Sequence, residues 1–284
     1  MFVIVGMLVV IGGVLGGYTM HGGHIAVLIQ VTEFIIIGGA AIGSLLISNP
    51  LSVTKRVIRG AIGTLKGSKI TKKSYEELLR TLYSLLQMAR RDGVIALEPH
   101  IESPSKSEIF KKAPTLLANH HALSFLCDTL RTMVSGSSDP HELDDLMEKD
   151  LETMHEEELT APAALTTLSD SLPGLGIVAA VLGVVITMGE IDRPPAEIGQ
   201  SVAGALVGTF LGILACYGFV GPIAKNMEHM IAAEGRYYAV IKAALVAFAR
   251  GPAPAVVIEY ARRAIMPEDR PSFESVEKML AAKS

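Results

Sequence analysis

Glu33 is an isolated acidic side chain in a long apolar stretch, and it is therefore the first candidate for proton chemistry. Residues 1–32 contain no Asp, Glu, Lys or Arg, and the next such residue after Glu33 is Lys55. An ionisable group inside a membrane helix is costly and by default indicates function. The alternative is a neutral or hydrogen-bonded Glu33 near the outer interface that orients its helix. From the sequence, both interpretations remain open.

The most apolar part of the C-terminal half offers hydroxyl groups but no carboxylate. Thr187 lies in the run 171–189 and Thr209 in the run 198–224, and neither run contains Asp or Glu. A proton relay through a bilayer normally needs a protonatable residue in the membrane. If this chain conducts protons through these two runs, a partner must supply the carboxylate.

The histidines and cysteines form no pattern typical of a metal or catalytic site. The histidine pairs lack carboxylate or cysteine ligands nearby, and two cysteines are too few for a disulfide framework or a zinc cluster. We therefore expect no enzymatic activity, no metal and no cofactor. The residues concerned are His21, His24, His120, His121, Cys127 and Cys216.

The apolar residues are clustered into segments long enough to cross a membrane. Mean hydropathy is +0.41 and half of the residues are hydrophobic, which is high for a soluble protein. Spanning the hydrocarbon takes about 20 apolar residues. The predicted spans are 2–19, 26–48, 169–189 and 199–222, and Glu33 would lie about two helical turns inside the second.

Basic residues predict the orientation of these spans. Of 25 Lys and Arg residues, 15 lie between spans two and three, 9 follow span four, and only Arg193 falls in a loop on the other side. By the positive-inside rule, the middle segment and both termini are cytoplasmic. The predicted architecture is an all-α membrane protein with a large helical cytoplasmic domain and a helical C-terminal region. Its segments are 1–49, 50–168, 169–223 and 224–284.

Small residues and prolines mark the last two spans. Gly204, Gly208 and Gly212 repeat at a four-residue spacing, which places them on one helix face and suits close packing against another membrane helix. Pro173 and Pro222 fall at the predicted cytoplasmic ends of spans three and four. Proline removes a helical hydrogen bond and bends the helix, so these residues either end the spans or act as joints.

The cytoplasmic segments have the periodicity of water-soluble helices. Leucines in 75–91 recur at three- and four-residue spacing, which predicts an amphipathic helix ended by Gly93. Further helices are predicted at 107–112, 114–135, 140–158, 225–250, 256–265 and 273–282.

Several runs of this sequence resemble the MotA family of flagellar motor stator subunits, over nearly the whole length. They are GGYTMHGG, IIIGGAAIGS, RDGVIALEPHIESPSKSEIF, DSLPGLGIVAAVLGVV, DRPPAEIGQSVAGALVGTFLGILACYGFVGP and RPSF. The match is closer to the MotA branch than to the related ExbB and TolQ proteins.

The resemblance implies an ion-driven torque generator in the bacterial inner membrane. Such subunits form a ring, understood as a pentamer, around a dimer of MotB, whose membrane aspartate carries the ion. Residues matching Pro173 and Pro222 link ion passage to conformational change. Charged residues matching Arg90 and Glu98 engage the rotor protein FliG, and Thr209 with the three glycines would face the channel and the partner helices.

The resemblance also bears on the transported ion. Sodium-driven relatives typically carry a threonine where this sequence has Ala180, while the span-four threonine is present as Thr209. Because sodium needs several oxygen ligands, whereas a proton needs a carboxylate and water, we predict protons. Two alternatives remain: an ExbB- or TolQ-like energiser of an envelope complex, and a membrane scaffold that conducts no ions.

Overall fold

The computed structural model describes residues 2–68, 70–136 and 139–281, and these contain helices and turns but no strand. The all-α prediction is confirmed. The α-helices are α1 (Phe2–Met20), α2 (Ile25–Leu28), α3 (Val31–Ser48), α4 (Leu51–Lys66), α5 (Lys72–Asp92), α6 (Glu98–Glu102), α7 (Pro114–Ala118), α8 (His120–Val134), α9 (Pro140–Met188), α10 (Pro195–Leu214), α11 (Gly221–Ala249), α12 (Pro254–Ala264) and α13 (Phe273–Ala281).

The chain forms two compact units, each made of two chain segments. The membrane-helix unit comprises Met1–Gly67 and Glu158–Met230, and the leucine-core unit comprises Ser68–Glu157 and Ile231–Ser284. Within the described residues, four helical stretches are long and apolar enough to cross a membrane, as predicted. These are Phe2–Met20, Ile25–Ser48, Pro140–Met188 and Pro195–Ala249.

The second span is interrupted near its start, which changes the position of Glu33. Ile29 and Gln30 are not helical, and the Gln30 side chain donates a hydrogen bond to the Val27 carbonyl at the end of α2. Helix α3 begins at Val31. Glu33 therefore lies in the first turn of α3, and the prediction that it sits two turns inside a continuous helix is wrong.

Prolines do not end the helices that contain them. Helix α9 runs without interruption through Pro162 and Pro173, where the sequence predicted separate helices at 140–158 and 169–189. Pro222 is the second residue of α11, which follows α10 through a π-helical segment, Ala215–Val220. A proline within a helix costs one hydrogen bond and bends the axis, and neighbouring groups in a membrane can satisfy the freed carbonyl.

The region 98–118 is less regular than predicted. In place of a helix at 107–112 there are two short 3₁₀ turns, Pro104–Lys106 and Phe110–Lys112. The predicted helix 114–135 is divided into α7 and α8, because Asn119 is extended and its side chain accepts a hydrogen bond from the Ala122 amide, capping α8. The last predicted helix, 273–282, corresponds to α13, and Ala282 lies outside the described residues.

Leucine side chains form the centre of the leucine-core unit. Helix α5 begins with a capping box between Thr71 and Ser74 and ends at Gly93, whose positive φ of 87° suits glycine. Its buried face packs with residues of α8, α11 and α12, and Tyr75 lies 5.5 Å from Tyr237 between ring centroids. The fully buried leucines of α5 are Leu78, Leu79, Leu82, Leu85 and Leu86.

Charged groups in the leucine-core unit are paired across short distances. Arg262 and Arg263 both donate to the Glu259 carboxylate, at 2.7–2.8 Å. The hydrogen bonds from Arg262, with a further one from Arg263, lower the pKa of Glu259 to about 2. Lys242 pairs with Asp144 at 2.8 Å and with Glu148. Burial disfavours the Lys242 charge, but these two hydrogen bonds outweigh it and raise the Lys242 pKa.

Candidate ion-pathway site

Glycines on α9 and α10 bring the backbones of these two helices into contact. A Cβ atom at Gly176 would lie 2.7 Å from the Gly208 carbonyl oxygen and 3.1 Å from the Gly212 Cα. A Cβ atom at Gly212 would lie 2.5 Å from the Leu172 carbonyl oxygen. Any larger residue at either position would collide with backbone, so the close approach requires glycine on both helices.

Gly208 and Gly212 therefore face this chain's own α9. Gly204, one turn earlier on α10, faces the Gln30 side chain, whose Nε2 would be 3.3 Å from a Cβ atom there. The assignment of the three glycines to a partner-helix interface stays a prediction. The surface left to a partner on α10 lies to the sides of this contact, where Thr209 is half-buried.

Glu33 reaches the same contact from α3. Its side chain is only 5% exposed, and its Oε2 atom makes no hydrogen bond with any residue that the structure describes. A Cβ atom at Gly208 would lie 2.5 Å from this oxygen, and one at Gly183 would lie 3.7 Å from Oε1. The backbone nitrogen of the buried Ala180 is within 3.1 Å of the same Gly208 Cβ position. Glu33, Ala180 and Gly208 are thus neighbours.

A cavity of about 540 Å³ lies beside Glu33 within the membrane-helix unit. Its lining joins the start of α3, the end of α9 and the start of α10. Thr187 is buried there, and its hydroxyl donates to the Gly183 carbonyl at 2.8 Å, which leaves the hydroxyl oxygen able to accept. The polar and charged lining residues are Gln30, Thr32, Glu33, Thr187, Glu190, Arg193, Glu197, Gln200 and Ser201.

One side-chain hydrogen bond joins the neighbourhoods of the two prolines. Pro173 has no N–H to donate to the carbonyl four residues earlier, at Ser169. The Ser169 hydroxyl is buried and donates to the Cys216 carbonyl at 3.2 Å. Cys216 is the second residue of the π-helical segment before Pro222, and its carbonyl also accepts a hydrogen bond from the Gly221 amide. Both helix irregularities therefore meet at the Ser169–Cys216 pair.

Arg90 and Glu98 lie in the leucine-core unit, at the end of α5 and the start of α6. Both side chains are exposed, and neither forms an ion pair or side-chain hydrogen bond within the described residues. The adjacent residues Arg91 and Asp92, by contrast, are paired with each other, because Arg91 donates to both carboxylate oxygens of Asp92, at 2.8 and 2.9 Å. The charges of Arg90 and Glu98 are therefore available to another molecule.

Sequence reasoning missed the residues that face the predicted ones. Gly176 and Gly183 lie seven residues apart on α9, a spacing that places them on one face, and this signal was present in the sequence. Ser169 precedes Pro173 by four residues, which marks it as the residue whose carbonyl loses a donor. Cys216 gave no comparable signal, because its role depends on the π-helical segment.

Two family models match the chain. "Motility protein A N-terminal" matches residues 4–93, and "MotA/TolQ/ExbB proton channel family" matches residues 118–239. Motility protein A of Salmonella typhimurium is 41% identical over 283 residues, covering 99% of this chain and 96% of the relative. Chemotaxis protein LafT of Vibrio parahaemolyticus is 39% identical and covers 97% of both chains.

Two solved structures share the fold. The C. jejuni MotAB structure matches with a TM-score of 0.79 at 22% identity, covering 95% of this chain and 98% of that chain. The flagellar MotAB stator complex of Bacillus subtilis matches with a TM-score of 0.75 at 23% identity and the same coverage.

Proposed function

The chain belongs to the MotA family of motility proteins, and we propose that it is a stator subunit of the bacterial flagellar motor. Together with MotB it forms an inner-membrane proton channel that converts ion flow into torque on the rotor protein FliG. The observation that carries this proposal is the 41% identity to motility protein A across 99% of the chain. The N-terminal match over residues 4–93 is to the motility branch, which favours this role over an envelope energiser.

MotB supplies the carboxylate that the apolar parts of α9 and α10 lack. Residues 171–189 and 198–224 contain no Asp or Glu, and a membrane proton relay normally needs one. The structural neighbours are MotAB complexes, which supports MotB as the partner. In this proposal a MotB dimer lies within a ring of five copies of this chain. Such a subunit works by conformational change and ion passage, with no covalent chemistry of its own.

Protons are the transported ion in this proposal. Ala180 lies at the α9–α10 contact, with its backbone nitrogen 3.1 Å from the Gly208 Cβ position, and its side chain has no hydroxyl that could add an oxygen ligand for sodium. Of the two positions that carry threonine in sodium-driven relatives, only Thr209 offers a hydroxyl. Swimming should therefore persist in sodium-free medium and stop when the proton gradient is collapsed. Swimming that requires sodium and survives loss of the proton gradient would contradict this choice.

The prolines transmit the state of the channel to the rest of α9 and α11. Pro173 lies inside α9 and Pro222 at the start of α11, and both helices contribute residues to both compact units. The buried Ser169–Cys216 hydrogen bond connects the two irregular sites. A rearrangement at either proline would therefore also change the backbone near the other.

FliG binds the surface that carries Arg90 and Glu98, on the cytoplasmic side together with both chain termini. The support is their exposure and the lack of a partner for either charge within the described residues. The charge reversals Arg90→Glu and Glu98→Lys should impair swimming while leaving the complex with MotB intact. Lys73→Glu, at an exposed position near the start of α5, is the matched control. Normal swimming of both reversals would exclude this contact.

The function itself is tested by co-expressing the chain with MotB in a strain that lacks both proteins. Restored swimming, together with proton flux into cells that carry the complex, is the expected result. Flux without swimming would point to another energiser, and neither flux nor swimming would point to a scaffold.

A further inference from the structure

We infer that Glu33 is a proton-exchange site of this chain, loaded from the cavity beside it, in addition to the carboxylate that MotB provides. This inference rests on the proposed function, because it assigns the cavity to the outer end of a proton channel. Under the proposed orientation, the start of α3, the end of α9 and the start of α10 all lie on the outer side of the membrane.

The surroundings of Glu33 oppose a permanently charged carboxylate. The side chain is 5% exposed, and Oε2 has no hydrogen-bond partner among the described residues. Gly208, Gly183 and the Ala180 backbone lie close to it, and they carry no charge. A buried charge without a partner is strongly unfavourable, so the neutral, protonated carboxyl group is accessible here.

The position of Glu33 on α3 favours the opposite state. It lies in the first turn, where the unpaired amides and the helix dipole stabilise negative charge. Burial and the helix terminus thus act in opposite directions on one carboxyl group. A group balanced in this way can gain and lose a proton, whereas a purely structural glutamate would be held in one state by a fixed partner.

The cavity provides the path to this carboxyl group. Its volume of about 540 Å³ holds many water molecules, since each occupies roughly 30 Å³ in the liquid. The charged residues that line it are Glu33, Glu190, Arg193 and Glu197. Arg193 pairs with Glu190 at 2.9 Å, which leaves the Glu197 carboxylate, together with Glu33 whenever it is deprotonated, to give the cavity a negative potential. Such a potential attracts cations and raises the local proton concentration.

The exchange step is simple and balanced. A hydronium ion in the cavity transfers a proton to the Glu33 carboxylate and leaves a water molecule, and the carboxylate becomes a neutral carboxyl group. Release returns the proton to water or to a carboxylate of the partner. A proton is favoured over sodium, because a sodium ion would need several oxygen ligands converging on one point.

The test uses the full chain in complex with MotB. Glu33→Gln keeps the shape of the side chain and removes the exchangeable proton, whereas Glu33→Asp keeps the proton and shortens the side chain. Asp192→Asn is the control. It removes one negative charge from the loop between α9 and α10, at an exposed residue outside the cavity lining. Proton flux and swimming speed are measured as the external pH is varied.

We expect Glu33→Gln to lower the flux and to change its dependence on external pH, Glu33→Asp to show a smaller change in both, and Asp192→Asn to behave as wild type. Flux and pH dependence of Glu33→Gln equal to those of wild type would overturn the inference. A wild-type flux that depends on sodium would overturn it as well.

Infrared difference spectra of the purified complex, recorded between two pH values, provide a measurement that does not depend on flux. One component of the carboxylic-acid C=O band that changes with pH in wild type should be missing in Glu33→Gln, while the components from the other carboxyl groups remain. If Glu33→Gln fails to assemble, Glu33→Asp should show a shifted band, and an unchanged spectrum would contradict the inference. If wild type carries no flux at all, the proposed function fails, while the infrared comparison still decides the state of Glu33.

Discussion

The two compact units of this chain are both helical, yet they exclude solvent by opposite means. The leucine-core unit buries large side chains, with five fully buried leucines on α5 alone. The membrane-helix unit instead brings backbones together at glycines, while residues such as Ile42 and Val185 remain more than 60% exposed. In lipid, exposed apolar side chains carry no penalty, so contact between small residues decides which helices associate.

The acidic groups of the two units show the same contrast. Glu259 in the leucine-core unit is held by two arginines, and its pKa is lowered to about 2. Glu33 in the membrane-helix unit is more deeply buried and has an oxygen with no partner among the described residues. A partnered carboxylate stabilises the fold, whereas an unpartnered one costs stability and by default indicates a function.

Gly208→Leu is the substitution expected to have the largest effect. A Cβ atom there would meet Glu33 Oε2 at 2.5 Å and the Ala180 nitrogen at 3.1 Å, and overpacking costs about 1–3 kcal/mol or more. We expect loss of co-purification with MotB and loss of swimming. Gly199→Leu on the same helix is the control, because nothing lies within 4 Å of its Cβ position. Unchanged assembly and motility of Gly208→Leu would show that the complex does not depend on the glycine contact.

Leu82→Ala tests how far side-chain burial stabilises the leucine-core unit. Leu82 is 0% exposed, and emptying such a site costs about 2–5 kcal/mol. The thermal unfolding midpoint of the purified complex should fall by several degrees. Ile95→Ala, at a residue 69% exposed, and Ile42→Ala, at one 63% exposed, should leave it nearly unchanged. An equal effect of Ile42→Ala would show that this exposed side chain becomes buried in the assembled complex.

Ser169→Ala removes the hydrogen bond between the two proline sites and should have an intermediate effect. A lost hydrogen bond of this kind costs about 1 kcal/mol, so the complex should assemble normally. Motor torque at high load should fall, because a rearrangement at Pro173 no longer reaches the π-helical segment. Ser171→Ala is the control, since the Ser171 hydroxyl bonds to the Leu168 carbonyl within α9, at 2.7 Å. Equal torque in both variants would contradict the proposed link.

Glu259→Gln should lower the stability of the fold at neutral pH, and this effect should have a characteristic pH dependence. Because the folded-state pKa of Glu259 lies below its ordinary value of 4.5, its ion pairs stabilise the fold fully above that value. The stabilisation is lost as pH falls from about 4.5 to about 2. The unfolding midpoints of wild type and variant should therefore converge across this range. Glu108→Gln, which breaks an exposed pair with Lys111, should show little difference at any pH.

Local patterns predicted the helices well where the cause of helix formation is itself local. Helix α5 follows from its leucine spacing and from Gly93, and the four spans follow from apolar length. The continuity of α9 through Pro173 was not predictable in this way. Proline is locally typical of a helix end, whereas here the surrounding helices accommodate it inside α9.

The candidate site was only half predictable for a related reason. The spacing of Gly204, Gly208 and Gly212 shows that they share a face, but it does not show which helix that face meets. The environment of Glu33 depends on α9 and α10, which follow it by more than a hundred residues in the chain. Long-range packing of this kind leaves no trace in a local pattern.

The π-helical segment before Pro222 also sets the rotational register of the last membrane helix. Gly212 and Ala224 are both buried, and 12 residues separate them in the chain. In an uninterrupted α-helix, at about 100° per residue, they would face directions about 120° apart. One residue looped out by a π-turn reduces this difference to about 20°. The extra residue thus allows a single continuous helix to present one buried side both before and after its proline.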